Sequence, residues 1–184
     1  MLRKCDATSG SVPRLAPLGP NDDDPEAEEV LSTVGDKADL AMFRTLARNP
    51  RLFKRWIPFG HTINTPSLPV RDKELLVLRT AYRCGNEYTW VHHTEIALAA
   101  GLGQAEIDRI RAGAAHPEWS EWDALMLRVV DELVDASCIS DASWHFLTER
   151  YDVRQLIEVP MLVGHYQMLA GTLNSLGVQV EGQP

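Results

Sequence analysis

Apolar residues recur at helical spacing along most of the chain. Leu40, Phe43 and Ala47 lie three and four positions apart, which places them on one face of a helix. The longest such stripe lies in residues 122–134 and comprises Trp122, Leu125, Met126, Val129, Val130, Leu133 and Val134. No useful length of sequence alternates with the period of two that a β-strand requires. The pattern therefore predicts an all-α protein.

Residues that start and end helices divide this pattern into seven or eight helices. Asn49-Pro50 can begin a helix with proline in its first turn, Gly85 can end one, and Ser140 or Asp141 can cap another. The predicted helical segments are approximately 40–47, 50–59, 71–82, 87–100, 104–111, 122–134, 141–151 and 154–176. Their short connections favour antiparallel packing of neighbours.

The first 35 residues differ in composition from the rest of the chain. They contain four prolines and the acidic run from Asp22 to Glu29. Seven acidic and three basic residues give this segment a charge of -4, which is half of the total of -8. We therefore predict a flexible, acidic, proline-containing N-terminal arm over residues 1–35, followed by a helical domain over residues 36–184.

The overall composition excludes several classes of protein. The chain of 184 residues is 45% hydrophobic and 24% charged, as expected for one globular domain. Its negative charge would repel nucleic acid and anionic lipid, and no run approaches the roughly 18 apolar residues of a membrane span. Three scattered cysteines indicate neither a disulfide framework nor a zinc ribbon. We expect a cytoplasmic protein that binds neither nucleic acid nor membranes.

The densest group of reactive side chains lies between residues 74 and 93. Glu87, Trp90 and His93 are spaced three apart, so a helix would place a carboxylate, an indole and an imidazole along one stripe. An imidazole titrates near neutral pH, and a carboxylate such as Glu74 on its second N–H would make it an effective general acid or base. The same spacing is also consistent with a hydrogen-bonded core histidine and with Glu74 as a carboxylate favoured at a helix N-terminus.

Other candidate groups carry weaker signals. His92 and His93 are about 100° apart on a helix and no HExxH motif is present, so we expect no metal site. Cys84 can be a nucleophile or an inert buried thiol, because no second cysteine lies close enough to resolve an oxidised intermediate. His165 and Tyr166, in an otherwise apolar helix, can line a pocket, form a core pair or lie at an interface.

Several short motifs follow one another in a specific order and spacing. They are Arg14–Asp22, Leu46–Pro50, Arg71–Ala81, Glu87–His93, Ala97–Leu102, Gln155–Glu158, Val163–Ala170 and Leu173–Gly177. Together they resemble the carboxymuconolactone decarboxylase family, an all-helical group that also contains the AhpD-like alkylhydroperoxidases. The resemblance implies an AhpD-like fold and a homo-oligomer, which could be a dimer, a trimer or a hexamer.

One branch of that family has a signature that this sequence lacks. In the peroxidase branch a glutamate is followed by a CxxC pair and by a histidine four residues after the second cysteine. That register places the glutamate on Glu74, the histidine on His93 and the two cysteines on Asn86 and Thr89. The form Glu-Tyr-x-Trp-x-x-His is instead similar to the decarboxylase-like branch. The type reaction of that branch removes CO2 from a carboxylated unsaturated lactone without a metal or organic cofactor.

The resemblance also implies roles for individual residues. His93 would be the general acid/base, Glu74 would orient it, and Glu87 would share in proton transfer. The residues expected to contact the substrate are Cys84, Trp90, His165 and Tyr166.

The leading hypothesis is a cofactor-independent lyase, a decarboxylase, or an isomerase that acts on a small carboxylated, lactone-like or enolisable substrate. Two alternatives stay open: an AhpD-like thiol peroxidase or oxidoreductase that uses Cys84, and a non-catalytic oligomeric binding protein.

Overall fold

The structure is a computed structural model that describes residues 12–19 and 21–182. Within these residues there are nine α-helices, one short 3₁₀-helix and no strand, so the all-α prediction is confirmed. Eight of the nine α-helices follow residue 36, in agreement with the predicted seven or eight. The α-helices are α1 (Pro25–Ser32), α2 (Ala41–Leu46), α3 (Pro50–Asn64), α4 (Val70–Arg83), α5 (Glu87–Ala99), α6 (Gln104–Ile110), α7 (Glu121–Ala136), α8 (Asp141–Thr148) and α9 (Val153–Leu176).

The helices are distributed over two compact units. Of the described residues, the first contains those up to Thr62 together with those from Thr172 onward, and the second contains Ile63–Gly171. None of the described helices combines the length and the apolar character needed to cross a bilayer.

In the first unit, helix α1 begins behind an aspartate cap. The Asp24 carboxylate accepts the backbone N–H groups of Glu26 and Ala27, both at 3.1 Å. Pro25 occupies the first turn, where a missing N–H costs no hydrogen bond. The apolar face of α1 is buried in a cluster that contains Leu18, Ala27, Val30, Leu31, Phe43, Ala47 and Phe53.

The prediction of an arm over residues 1–35 is therefore wrong for α1. It relied on prolines and acidic residues, but Pro25 starts the helix and the three glutamates of α1 lie on its exposed face. The opposite face supplies apolar side chains to the core of the first unit. Residues 1–11 and Pro20, which belong to the same prediction, lie outside the described residues.

Truncating Leu31 tests whether α1 is part of the core. Leu31 is buried, so Leu31→Ala is expected to lower the free energy of unfolding by about 2–5 kcal/mol through lost burial and a residual cavity. Urea denaturation followed by circular dichroism measures this change. Glu28→Ala, on the exposed face of the same helix, is the control and should change stability by less than about 0.5 kcal/mol. Equal stability of the two variants would contradict the packing of α1.

In the second unit, helix α4 is buried on almost every side. Leu75–Leu78 have no exposed surface, and α5 and α7 pack against the helix. Polar side chains on such a helix must find partners within the protein, because burial without hydrogen bonds is costly. Arg79 does so by donating to both Asp131 carboxylate oxygens at 2.8 and 2.9 Å and to the Ile110 carbonyl at 2.8 Å.

A tight turn connects α4 to α5. Gly85 has a φ of +61°, a backbone conformation that glycine adopts at little cost, and it follows the end of α4 as predicted. Asn86 then caps α5, because its side-chain oxygen accepts the Thr89 N–H at 2.9 Å. The turn returns the chain along α4, so that α5 packs against it.

Candidate active site

Glu74 lies on α4 with no exposed surface. Its Oε2 is 2.7 Å from His93 Nδ1, and its Oε1 is 2.9 Å from Lys73 Nζ. Burial alone would raise the pKa of Glu74, but the hydrogen bond and charge of His93, together with Lys73, outweigh it and lower the pKa below the ordinary value. Glu74 is therefore a buried, ionised carboxylate that holds one nitrogen of the imidazole.

The second nitrogen of His93 faces Tyr166 on α9. His93 Nε2 and the Tyr166 hydroxyl oxygen are 3.0 Å apart, and the tyrosine also donates to Asn64 Oδ1 at 2.5 Å. Burial and the charge of Glu74 raise the pKa of Tyr166, while its hydrogen bond to Asn64 acts in the opposite direction. Tyr166 is therefore a neutral hydroxyl at neutral pH, able to donate or accept.

Lys73 contacts both Glu74 and Asn64, the two residues at the ends of the series Glu74–His93–Tyr166–Asn64. Its ammonium group lies against Glu74 and also donates to the backbone carbonyl of Asn64 at 3.3 Å. Asn64, Lys73, Glu74, His93 and Tyr166 thus form a closed set of polar contacts, which we call the polar network. The structure confirms the proximity of Glu74 and His93 that the sequence predicted, and it adds Tyr166 as a direct neighbour.

Two members of the polar network were missed by sequence analysis. Asn64 is the last residue of α3, in front of a segment rich in proline and threonine. Lys73 belongs to the charged start of α4, next to Glu74. Neither has a spacing relative to His93 that signals contact, so no pattern in the sequence could have identified them.

Glu87, by contrast, is not brought together with Glu74 and His93. It is exposed in the first turn of α5, whereas His93 is 9% exposed. Six residues of helix separate the two, which corresponds to about 120° around the axis. The predicted stripe therefore runs from the surface into the protein, and the expected role of Glu87 in proton transfer has no support in this geometry.

Trp90 and Cys84 make contacts away from His93. The Trp90 ring lies under the Arg111 guanidinium, 4.5 Å from ring centre to the carbon of that group, and 6.2 Å from the Tyr82 ring. Cys84 follows the last residue of α4 and is half-buried. Burial raises the pKa of its thiol, with a smaller opposing effect of Arg83, so the reactive thiolate is disfavoured.

His165 is close to the polar network only through its neighbour in the sequence. Its ring meets the Tyr166 ring edge-on at 5.3 Å, and it is 4% exposed. Burial lowers the pKa of His165, which favours the neutral imidazole. Its position indicates packing behind Tyr166.

The positions that the family register assigns to cysteines have a structural role here. Asn86 and Thr89 are both buried, and they form the N-terminal hydrogen bond of α5. A thiol at a helix N-terminus is activated because the helix dipole favours the thiolate. In this protein an amide oxygen accepts the backbone N–H at that position.

An open groove of about 620 Å³ lies on a different face of α4. Asp72 is part of it and accepts hydrogen bonds from Trp122 Nε1 at 3.0 Å and from the Tyr151 hydroxyl at 2.6 Å. Asp72 and Glu74 are two residues apart, about 200° around the helix, so the groove and the polar network face different directions. Neither Glu74 nor His93 lines the groove.

Comparisons with known proteins agree with this arrangement of helices. Residues 50–131 match the model of the carboxymuconolactone decarboxylase family, which confirms the resemblance found in the sequence. That segment contains Glu74 and His93, but it ends before Tyr166. No curated protein sequence gives a significant match.

Two solved structures share the fold. One is an uncharacterized peroxidase-related protein from Ralstonia eutropha with an alkylhydroperoxidase AhpD core. It has a TM-score of 0.72 and 17% identity over 85% of this chain and 86% of that chain. The other is a protein of unknown function from Agrobacterium tumefaciens, described as a candidate antioxidant defence protein AhpD. It has a TM-score of 0.64 and 16% identity over 73% of this chain and 93% of that chain. The fold is therefore AhpD-like.

The lowered pKa of Glu74 predicts a specific dependence of stability on pH. Because the pKa in the folded state lies below the ordinary 4.5, the ionised carboxylate stabilises the fold above that pH. This contribution is lost as the pH falls through the folded-state pKa. Urea unfolding of the wild type and of Glu74→Gln should show that the wild type loses stability more steeply below about pH 4.5. Parallel profiles for the two proteins would contradict the ion pair.

Proposed function

Because residues 50–131 match the carboxymuconolactone decarboxylase family, we propose that this protein is a cofactor-independent lyase or isomerase. Its substrate would be a small carboxylated, lactone-like or enolisable molecule. The observation that supports this proposal is the line of contacts Glu74–His93–Tyr166, in which a carboxylate holds one imidazole nitrogen and a hydroxyl lies at the other.

The chemistry of the proposed reaction needs one group that can give and take a proton. Loss of CO2 from a carboxylated unsaturated lactone leaves the bonding electrons on the substrate as a dienolate, which must be stabilised and then protonated on carbon. In the proposal, protonated His93 donates that proton and Glu74 compensates the charge of the imidazolium. An isomerase would use the same imidazole first as base and then as acid.

Tyr166 is suited to stabilise developing negative charge. Its hydroxyl is neutral, because its pKa is raised, and it lies on the imidazole nitrogen opposite Glu74. A buried O–H donor stabilises an enolate oxygen more strongly than water does. Tyr166 would supply this donor by turning its hydroxyl proton from Asn64 Oδ1 to the substrate. Only a small part of His93 reaches the surface, so the proposal requires a small substrate or a movement of Tyr166.

The two alternatives have less support. A peroxidase that uses Cys84 would need a thiolate, and the raised pKa of Cys84 disfavours it. A non-catalytic binding protein is consistent with the polar contacts that the network residues make with one another. It gives no reason, however, why a titratable imidazole lies between a carboxylate and a hydroxyl.

Replacing His93 tests the proposal directly. Turnover is measured as CO2 release, and as deuterium incorporation next to the carbonyl in D2O, over a panel of carboxylated unsaturated lactones and β-keto acids. His93→Ala is expected to lower kcat by about 100-fold or more, because general acid/base catalysis contributes on that scale. His92→Ala is the matched control. It removes an imidazole from the adjacent position of α5, where His92 packs 4.4 Å from the Tyr88 ring.

Two outcomes would contradict the proposed function. If His93→Ala retains wild-type turnover on a substrate that the wild type converts, the acid/base role is wrong. If Cys84→Ser abolishes reduction of an organic hydroperoxide while His93→Ala leaves it intact, the thiol peroxidase alternative is correct instead.

A further inference from the structure

Asn64 holds a position in the polar network from which it can control the proton content of His93. Tyr166 has one hydroxyl proton and two neighbours, His93 Nε2 at 3.0 Å and Asn64 Oδ1 at 2.5 Å. An amide oxygen can only accept, so the tyrosine proton belongs to the Asn64 contact in this orientation. The proton between Tyr166 and His93 must then come from Nε2.

The contact between His93 and Glu74 completes this proton count. Glu74 is ionised and also contacts Lys73, so the proton between its Oε2 and His93 Nδ1 belongs to the imidazole. Both contacts of His93 then use a ring N–H, which is the hydrogen-bond pattern of a protonated imidazole. An Asn64 amide with its oxygen toward Tyr166 therefore matches the protonated, acid form of the proposed catalytic residue.

The opposite orientation of the amide matches the other form. If the Asn64 side chain turns by about 180° at its amide group, its NH2 group donates to the Tyr166 oxygen, since an amide nitrogen and oxygen occupy nearly the same space. The tyrosine hydroxyl then donates to His93 Nε2, which must be without a proton. The contacts of Tyr166 with Asn64 and with His93 are both kept, and the network contains one proton fewer.

We propose that Asn64 is a positioning residue whose amide, acting through the Tyr166 hydroxyl, allows His93 both to hold and to release the proton used in the reaction. This inference rests on the proposed function for its catalytic meaning. A general acid/base must be stable both with and without its proton within one turnover. An amide that can present either face stabilises both states, whereas a residue that only accepts, or only fills space, favours one.

Charged groups on the helices that pack around α5 have partners of their own. Glu74 and Lys73 on α4 contact each other, and on α9 His165 lies behind Tyr166. Helix α6, which packs against α5, carries charged residues that pair outside the network. These pairs are Glu106 with Arg71 and Arg109 with Glu118. Replacing the Asn64 amide therefore changes the direction of the Tyr166 hydrogen bonds and leaves the charged groups Lys73 and Glu74 in place.

Two substitutions at Asn64 should act in opposite directions. Asn64→Asp leaves only acceptor oxygens, which draws the tyrosine proton away from His93 and favours the imidazolium. Asn64→Leu removes the acceptor, so the tyrosine proton turns to His93 Nε2 and favours the neutral imidazole. The free energy of one hydrogen bond is enough to change the ratio of protonated to neutral His93 by about tenfold. Asn64→Asp is expected to raise this ratio and Asn64→Leu to lower it.

The measurement is ¹⁵N NMR of the histidine side chains in the resting protein at a series of pH values. His93 is assigned by the resonance that His93→Gln removes, and His92 serves as the internal control. Thermal unfolding of each variant verifies that it is folded. Because no substrate is present, the result does not depend on whether the proposed reaction is correct.

Repeating both substitutions in a Tyr166→Phe background separates the hydrogen-bond relay from the negative charge that Asn64→Asp introduces. In that background Asn64→Leu is expected to leave the ratio of protonated to neutral His93 unchanged. Asn64→Asp is expected to change it only through the attraction between the new negative charge and the imidazolium. The inference is overturned if Asn64→Leu and Asn64→Asp change the His93 forms in the same direction, if neither changes them, or if the effect of Asn64→Leu survives without the tyrosine hydroxyl.

Discussion

The second unit depends on the burial of one ionised carboxylate. Glu74 has no exposed surface, and a charge in that position is tolerated only when other groups replace the water it has lost. Lys73 supplies a compensating charge, and His93 supplies an N–H. Lys73 also contacts Asn64, the last residue of α3, and His93 also contacts Tyr166 on α9. The groups that compensate the charge of Glu74 on α4 therefore also contact the end of α3 and helix α9.

Two buried charged clusters in this unit differ in what they can do. Arg79 and Asp131 form a bidentate pair in which the guanidinium is always protonated, so the pair can hold helices together but cannot exchange a proton. The polar network contains an imidazole and a phenolic hydroxyl, whose protons can be shared in two directions. The difference in chemistry, more than the difference in burial, marks the polar network as the candidate active site.

The position of Cys84 relative to a helix end disfavours its reactive thiolate form. Cys84 follows α4, where the negative end of the helix dipole disfavours a thiolate, and its burial acts in the same direction. The activating position at the start of α5 belongs to Asn86, which caps the helix. Cys84 therefore lacks the helix N-terminus that would favour its thiolate.

The sequence by itself determined the all-α class, most helix limits and the pairing of Glu74 with His93, because helical spacing and caps are local properties and the family register links the two residues. Tertiary structure alone decided the rest. α1 joined the core because its apolar face found partners later in the chain, and Glu87 stayed at the surface because α5 turns only one side toward α4. Asn64 and Tyr166 are 102 residues apart, and no local pattern specifies such a contact, since it exists only after both helices have packed.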